Sequence, residues 1–304
     1  MERKAGYILL LFSFISFTVH SQYYQPFSQG QSLPLYQNPS FAGTLVYPRF
    51  TIGGVMNSSD ESAFTVLGVS RFYCSFDQYL PAIKSGVGIM YTSNPDIYTP
   101  LKTQRVQGEI SCSPKIKLKN KFTLSLGASI GISSVLADSD TLNAYSNHSY
   151  SASPFLCYSG GAILHSPTFY VGYSLRRFPS LKTEYLSYNP LKYDLIQRSK
   201  FVSTAQLGYV FRKKKSDKIT FSPALLLQFY HMDNGFIQTR YQVNFSLKRN
   251  FFFWGAGFSS NSSFMTIGFH GEKIRLAYSA SLINQGGNPF VVAQEMVFSY
   301  TFIK

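Results

Sequence analysis

The sequence predicts an all-β protein: a closed antiparallel barrel of about fourteen strands in an outer membrane, entered through an N-terminal strap. Three observations carry that expectation. Side-chain polarity alternates with period two through most of the chain. Aromatic residues make up 17% of the 304 positions and charged residues only 14%. Beyond the first twenty residues no apolar run is long enough to cross a bilayer as a helix, which takes about 20 residues. Few charges and many aromatics suit a wall whose outer face meets lipid and whose rims carry aromatic girdles.

The N-terminus sets the compartment. Arg3 and Lys4 precede an apolar run from Gly6 to Val19, followed by His20, Ser21 and Gln22. A basic start, a short apolar stretch and small residues ahead of the cut describe an export leader ending at Ser21. The expected organisation is therefore a leader over 1–21, a strap over 22–46 and a barrel over 47–304.

Alternation defines the wall, because successive strand side chains point to opposite faces. In FTLSLGASIGIS (122–133), Phe122, Leu124, Leu126, Ala128, Ile130 and Ile132 share one face and Thr, Ser and Gly the other. The segment 274–282 repeats the pattern with Ile274, Leu276, Tyr278, Ala280 and Leu282. Tyr241, Val243, Phe245 and Leu247 oppose Gln242, Asn244 and Ser246, and Val106, Ile110 and Cys112 oppose Arg105, Gln107, Glu109 and Ser111. Charges restricted to one face fit a polar lumen. Strands are expected near 47–57, 62–74, 83–94, 103–114, 121–136, 153–166, 167–177, 199–212, 217–231, 237–249, 251–261, 262–271, 272–284 and 291–303. The last places Met296, Phe298, Tyr300 and Phe302 on one face at the chain end, as a closing strand requires. Short connections (117–120, 166–167, 212–217, 248–250, 270–273) alternate with longer ones (137–152, 178–198, 284–289), as expected of inner turns and outer loops.

This topology sorts the charge. Twenty-eight Lys and Arg against 14 Asp and Glu give a formal +14. Lys117, Lys119 and Lys121, the run Arg212, Lys213, Lys214 and Lys215, Lys248 with Arg249, and Lys273 all fall in the expected inner turns. Such a collar either keeps the rim solvated or steers an acidic partner beneath the membrane. Nucleic acid is not an expected partner of an exported chain whose aromatics follow the strand period.

Little in the sequence points to catalysis. Gly127–Gly131 (GASIG) matches a nucleophile-elbow pattern, but Ser129 lies inside an alternating strand and no helix follows it. His148, His165, His231 and His270 stand singly, without ligand spacing for a metal. Cys74, Cys112 and Cys157 fall within strands, where cysteine commonly serves as a small apolar filler. No cofactor motif is present. A diffusion or uptake channel remains open at this point, with Arg105, Glu109, Gln206, Gln228, Gln242, Asn244 and Arg275 as lumen-lining candidates.

The strap itself reads QPFSQGQSLPLYQNPSFAGT over 25–44. Pro26, Pro34 and Pro39 disfavour helix, and Asn38-Pro39 with Gly43 favours a fixed turn into the first strand. Phe27, Leu35, Tyr36 and Phe41 supply apolar anchors, which predicts an ordered strap at the inner mouth. It either occludes the barrel or binds a partner.

Phe27-Ser28-Gln29, Pro34-Leu35 and Asn38-Pro39-Ser40-Phe41-Ala42-Gly43, in this order between leader and first strand, resemble the PorP/SprF family of Bacteroidetes outer-membrane proteins. The chain departs from the family's pattern at Gly30, where tyrosine is usual, and at Ser40, where alanine is usual. The resemblance implies a component of the type IX secretion system, linked in some members to gliding motility. Implied partners are outer-membrane lipid and a secreted adhesin with a C-terminal sorting domain, a periplasmic peptidoglycan-binding protein, or both. It marks Phe27, Ser28, Gln29, Asn38, Pro39 and Gly43, beside the basic run at 212–215, as candidate partner-binding residues, with no catalytic or metal site.

Overall fold

The computed structural model describes residues 33–57, 71–96, 103–118, 121–137, 154–177, 199–211, 219–232, 237–260, 262–283 and 291–303. Fourteen strands run in chain order among them: β1 Arg49–Asn57, β2 Arg71–Leu80, β3 Ser85–Asp96, β4 Thr103–Lys117, β5 Thr123–Ala137, β6 Phe155–His165, β7 Phe169–Arg177, β8 Ser199–Tyr209, β9 Ile219–Met232, β10 Ile237–Arg249, β11 Phe252–Ser259, β12 Ser262–His270, β13 Ile274–Ile283 and β14 Val291–Thr301. Each pairs antiparallel with its sequence neighbours, and β1 closes on β14 from Arg49↔Thr301 to Asn57↔Ala293, so the sheet is a closed barrel. Closure satisfies every strand's backbone groups within the wall, the condition for crossing lipid.

Alternation assigns the two faces. Ile110, Ile130, Leu156, Met265 and Ile267 point outward and are each at least 60% exposed. In water each would forfeit about 1.5–3 kcal/mol of burial; against acyl chains they are solvated. Their inward neighbours are polar and buried, among them Gln107, Glu109, Ser129, Gln228, Gln242 and Glu295. The lumen-lining candidates follow this rule: Glu109, Gln206, Gln228 and Gln242 are buried, and Arg105, Asn244 and Arg275 are half-buried on the inward face. Among the described residues no helix is long and apolar enough to cross a membrane.

Short turns gather at one end of the barrel, where the strap also enters. The turns after β2, β4 and β10 each hold a residue at positive φ, Lys84, Lys121 and Asn250. Tight reversals demand this left-handed geometry, which is uncommon outside glycine. Stacked outward aromatics mark the same end, including Phe211 on Phe221 at 6.0 Å and Phe251 on Phe269 at 5.9 Å.

Two expectations need correction. The alternating pattern places the second strand at 62–74, whereas β2 runs from Arg71 to Leu80, and 62–70 lie outside the described residues. The apolar run Phe64–Val69 draws the pattern upstream, while the inward face of β2 is polar because Ser75 and Asp77 sit there. The strap is also more helical than its prolines suggest. Pro34 opens a one-turn helix, α1 (Pro34–Gln37), and Pro39 opens a 3-10 turn (Pro39–Phe41). At a first helical position the missing N–H costs nothing and the fixed φ already fits.

Candidate docking site at the short-turn mouth

The strap is built by local hydrogen bonding around Asn38. Its amide N–H donates to the Pro34 carbonyl at 3.1 Å, closing α1, and its Oδ1 accepts from the Ser40 amide at 2.9 Å, capping the 3-10 turn. The Ala42 amide then donates to the Pro39 carbonyl at 3.1 Å. Gly43 follows at φ +59°, a conformation that costs other residues roughly 1 kcal/mol or more.

This compact segment lies inside the barrel rather than beneath it. Leu33, Leu35 and Ala42 pack with Val55, Tyr73, Met90, Ala293 and Val297 of the wall, with Tyr36 and Phe41 beside them. Among the described residues, an apolar core cluster thus forms inside the lumen where the strap enters it. The approach depends on inward-facing glycines. A Cβ on Gly127 would strike the Pro39–Ser40 backbone, one on Gly161 the Asn38 side chain, and one on Gly86 the Ala42 carbonyl. From Gly43 a Cβ would come within 2.6 Å of Gly86 Cα.

Wall polar groups then hold the strap backbone. Asn38 Nδ2 donates to the Tyr173 and Ala162 carbonyls at 3.2 and 3.4 Å, on β7 and β6. Ser174 Oγ donates to the Gln37 carbonyl at 2.8 Å. Ser113 Oγ and Lys115 Nζ both donate to the Ser40 carbonyl, at 3.0 and 3.2 Å. The Gly43 amide donates to Asp77 Oδ2 at 2.9 Å, and Arg49 Nε donates to Asp77 Oδ1 at 2.9 Å. Deeper in the lumen, Glu109 accepts from Gln107, from Ser129 Oγ at 2.8 Å and from Arg176 Nη2 at 3.4 Å. The Arg176 guanidinium also lies 5.6 Å from the Tyr36 ring, and Tyr36 meets Tyr73 edge to face at 6.2 Å. Side chains from β2, β4 and β7 therefore converge on the strap.

Of the candidate partner-binding residues, Asn38, Pro39 and Gly43 lie in this buried contact, while Phe27, Ser28, Gln29 and Arg212, Lys213, Lys214, Lys215 lie outside the described residues. Lys117, Lys121, Arg249 and Lys273 form an exposed collar at the short-turn end, whereas Lys248 turns inward from β10. Reading the sequence for function missed Asp77, Ser113, Lys115, Ser174 and the wall glycines. The signal available for them was glycine at inward positions of otherwise regular strands.

The arrangement is suited to holding a segment of chain rather than to bond chemistry. Ser129 shares its hydroxyl with Glu109 and, at 2.6 Å, with Ser159 Oγ, a polar bridge across β4, β5 and β6. Cys74, Cys112 and Cys157 are free thiols. Among the described residues no group of three His, Cys, Asp or Glu is placed to hold a metal.

A closed fourteen-strand wall with an apolar outer face and a polar lumen defines an outer-membrane β-barrel, and the chain is placed in that membrane. Its sequence narrows the class: the family model described as type IX secretion system membrane protein PorP/SprF matches residues 19–288. The chain belongs to that family and is a membrane component of that system. No curated protein sequence matches it. Among solved structures, it is similar to the toluene transporter TbuX of Ralstonia pickettii, with a TM-score of 0.52 at 9% identity over 90% of this chain and 94% of that one. The P. putida toluene transporter TodX aligns with a TM-score of 0.46 at 9% identity, over 88% and 93%. At such identity the likeness to TbuX shows the fold alone.

Proposed function

We propose that this chain is a non-enzymatic docking barrel of type IX secretion. On this reading it holds a secreted adhesin, a periplasmic machinery protein, or both, at its short-turn face. The observation that carries the reading is the strap seated in the mouth. An open channel gains nothing from filling its inner mouth with an apolar plug fitted to glycine notches. A docking barrel gains a rigid surface on the side where outer-membrane barrels put their short turns, the periplasm. The strap residues around Asn38 shape that surface from within, and the basic collar and the run Arg212–Lys215 supply charge to attract the partner.

Affinity isolation of the tagged full-length chain from native outer membranes tests this. Type IX machinery or a surface adhesin is expected in the eluate; steady single-channel conductance with neither recovered would overturn the reading. Conductance is the signature of the rival reading, a channel, which draws on the polar β8–β10 wall at Gln206, Gln228 and Gln242 and on the fold shared with TbuX.

A further inference from the structure

Among the described residues, strand alternation turns nearly every charged side chain of the wall into the lumen. Two cations point outward instead, Arg249 and Arg177, each the last residue of its strand. Arg249 closes β10 at the short-turn rim and belongs to the exposed collar. Arg177 closes β7 at the opposite rim, where the long connection 178–198 begins. It stands directly opposite Tyr158 of β6, which is 47% exposed on the same outward face. Arg177 Nη1 donates to the Tyr158 hydroxyl oxygen at 2.6 Å, and the guanidinium carbon lies 5.7 Å from the ring centroid. A hydroxyl and an aromatic plane thus brace one guanidinium at the edge of the lipid face.

That guanidinium has donors to spare. It carries five N–H groups; the Tyr158 bond uses one, and among the described residues no carboxylate pairs with Arg177. Tyr158 accepts in that bond, so its own O–H is left to donate outward. A cation at the edge of a lipid face is stabilised by an anion at the same height, more strongly than in open water because the dielectric is lower. Beneath the pair the wall makes room for the rest of a lipid. Gly160 and Ala162 continue the outward face of β6, between Ala128 and Leu126 of β5 and Leu175 and Tyr173 of β7. A Cβ on Gly160 would meet nothing nearer than 3.8 Å, so the small residues leave a furrow that runs down β6 from Tyr158.

We propose that Arg177 and Tyr158 form a phosphate site for the phosphorylated glycolipid of the outer leaflet, with an acyl chain of that lipid lying along the β6 furrow. Long loops mark the cell-surface side of such barrels, which puts Arg177 in the leaflet built from glycolipid rather than in the phospholipid leaflet beneath it. A planar guanidinium offers a phosphate two parallel N–H donors, and one already braced by Tyr158 has little freedom left to lose on binding. The Tyr158 O–H adds a donor beside them. The site lies at the far rim from the strap and goes beyond the docking reading without depending on it.

The test uses the full-length protein refolded from urea into detergent, free of native lipid, with bisphosphorylated lipid A added before native mass spectrometry. The wild type is expected to retain lipid A in preference to phosphatidylglycerol. Arg177→Gln should weaken retention roughly tenfold or more, since it removes the charged donors. Tyr158→Phe, which keeps the ring and loses the hydroxyl, should weaken it several-fold. Lys84→Gln, an exposed cation at the opposite rim, should change it less than about twofold. Heat-modifiable gel migration reports folding of each variant. Should Arg177→Gln not fold, Arg177→Lys, which keeps the charge but loses the fork, should still weaken retention several-fold. No retention by the wild type, an equal loss in Arg177→Gln and Lys84→Gln, or equal retention of dephosphorylated lipid A overturns the site. Equal retention of phosphatidylglycerol overturns its assignment to the glycolipid leaflet. None of these results bears on recovery of a partner at the short-turn mouth, so the docking reading stands or falls separately.

Discussion

The carboxylate of Asp77 accepts the backbone N–H of Gly43 at 2.9 Å, tying the end of the strap to β2. Its other oxygen holds Arg49 at 2.9 Å, in the first residue of β1. The Asp77 side chain is 2% exposed and that of Arg49 15%, so the ion pair is largely withdrawn from water. One acid thus fixes the corner at which the chain leaves the lumen and joins the wall. Asp77→Asn keeps the shape and removes the charge, stranding Arg49. The expected loss is about 2–4 kcal/mol, because breaking a buried pair from one side leaves the other charge unanswered. Urea unfolding followed by gel migration measures it, and a midpoint equal to that of the wild type would sink the assignment.

The glycine notches give a sharper contrast. Gly127 and Gly108 lie on neighbouring strands, yet a Cβ on Gly127 would meet the strap backbone while one on Gly108 has nothing within 4 Å. Gly127→Val should therefore expel the strap and leave the wall closed. Limited thermolysis with mass readout should then show cuts at Leu33, Leu35 or Phe41, which are protected in the wild type. Gly108→Ala should behave as wild type. Equal protection in both variants would mean that the strap does not depend on the notch.

These notches also show where the sequence is legible. Alternation revealed the wall because the rule that lipid faces apolar residues acts on every strand separately, so IRLAYSASL or FTLSLGASIGIS declares itself without its neighbours. β10 is expected over 237–249 and observed at Ile237–Arg249. Residues 75–80 of β2 escaped because their inward positions answer to another segment: Asp77 is acidic for Gly43 and Arg49, a demand visible only once the barrel is closed. The strap's placement was legible in part, from its apolar anchors and its turn at Asn38. Its partners Ser113, Lys115 and Ser174 were not, since any inward serine or lysine satisfies a polar lumen equally well.

Occlusion of the mouth by the strap has an electrical consequence. Deleting 33–44 removes Leu33, Leu35 and Ala42 from the apolar core and uncovers the polar groups they screen. In planar bilayers the deletion variant should conduct steadily and well above the wild type, provided its gel migration shows a closed barrel. Equal conductance of the two proteins would show that the strap is no plug.

The outward face makes the last prediction, which concerns the membrane directly. Ile130 lies mid-strand in β5 at 60% exposure, and Phe252 opens β11 beside a short turn at 66%. In water, arginine at either site would be nearly neutral. In a bilayer the cost depends on depth, about 2–4 kcal/mol at the midplane and about 0–1 kcal/mol near the interface. Ile130→Arg should therefore destabilise the barrel in phospholipid vesicles by several times as much as Phe252→Arg. Measured folding free energies that are alike for the two variants would place β5 outside the lipid and break the assignment of faces on which the lumen and the strap both depend.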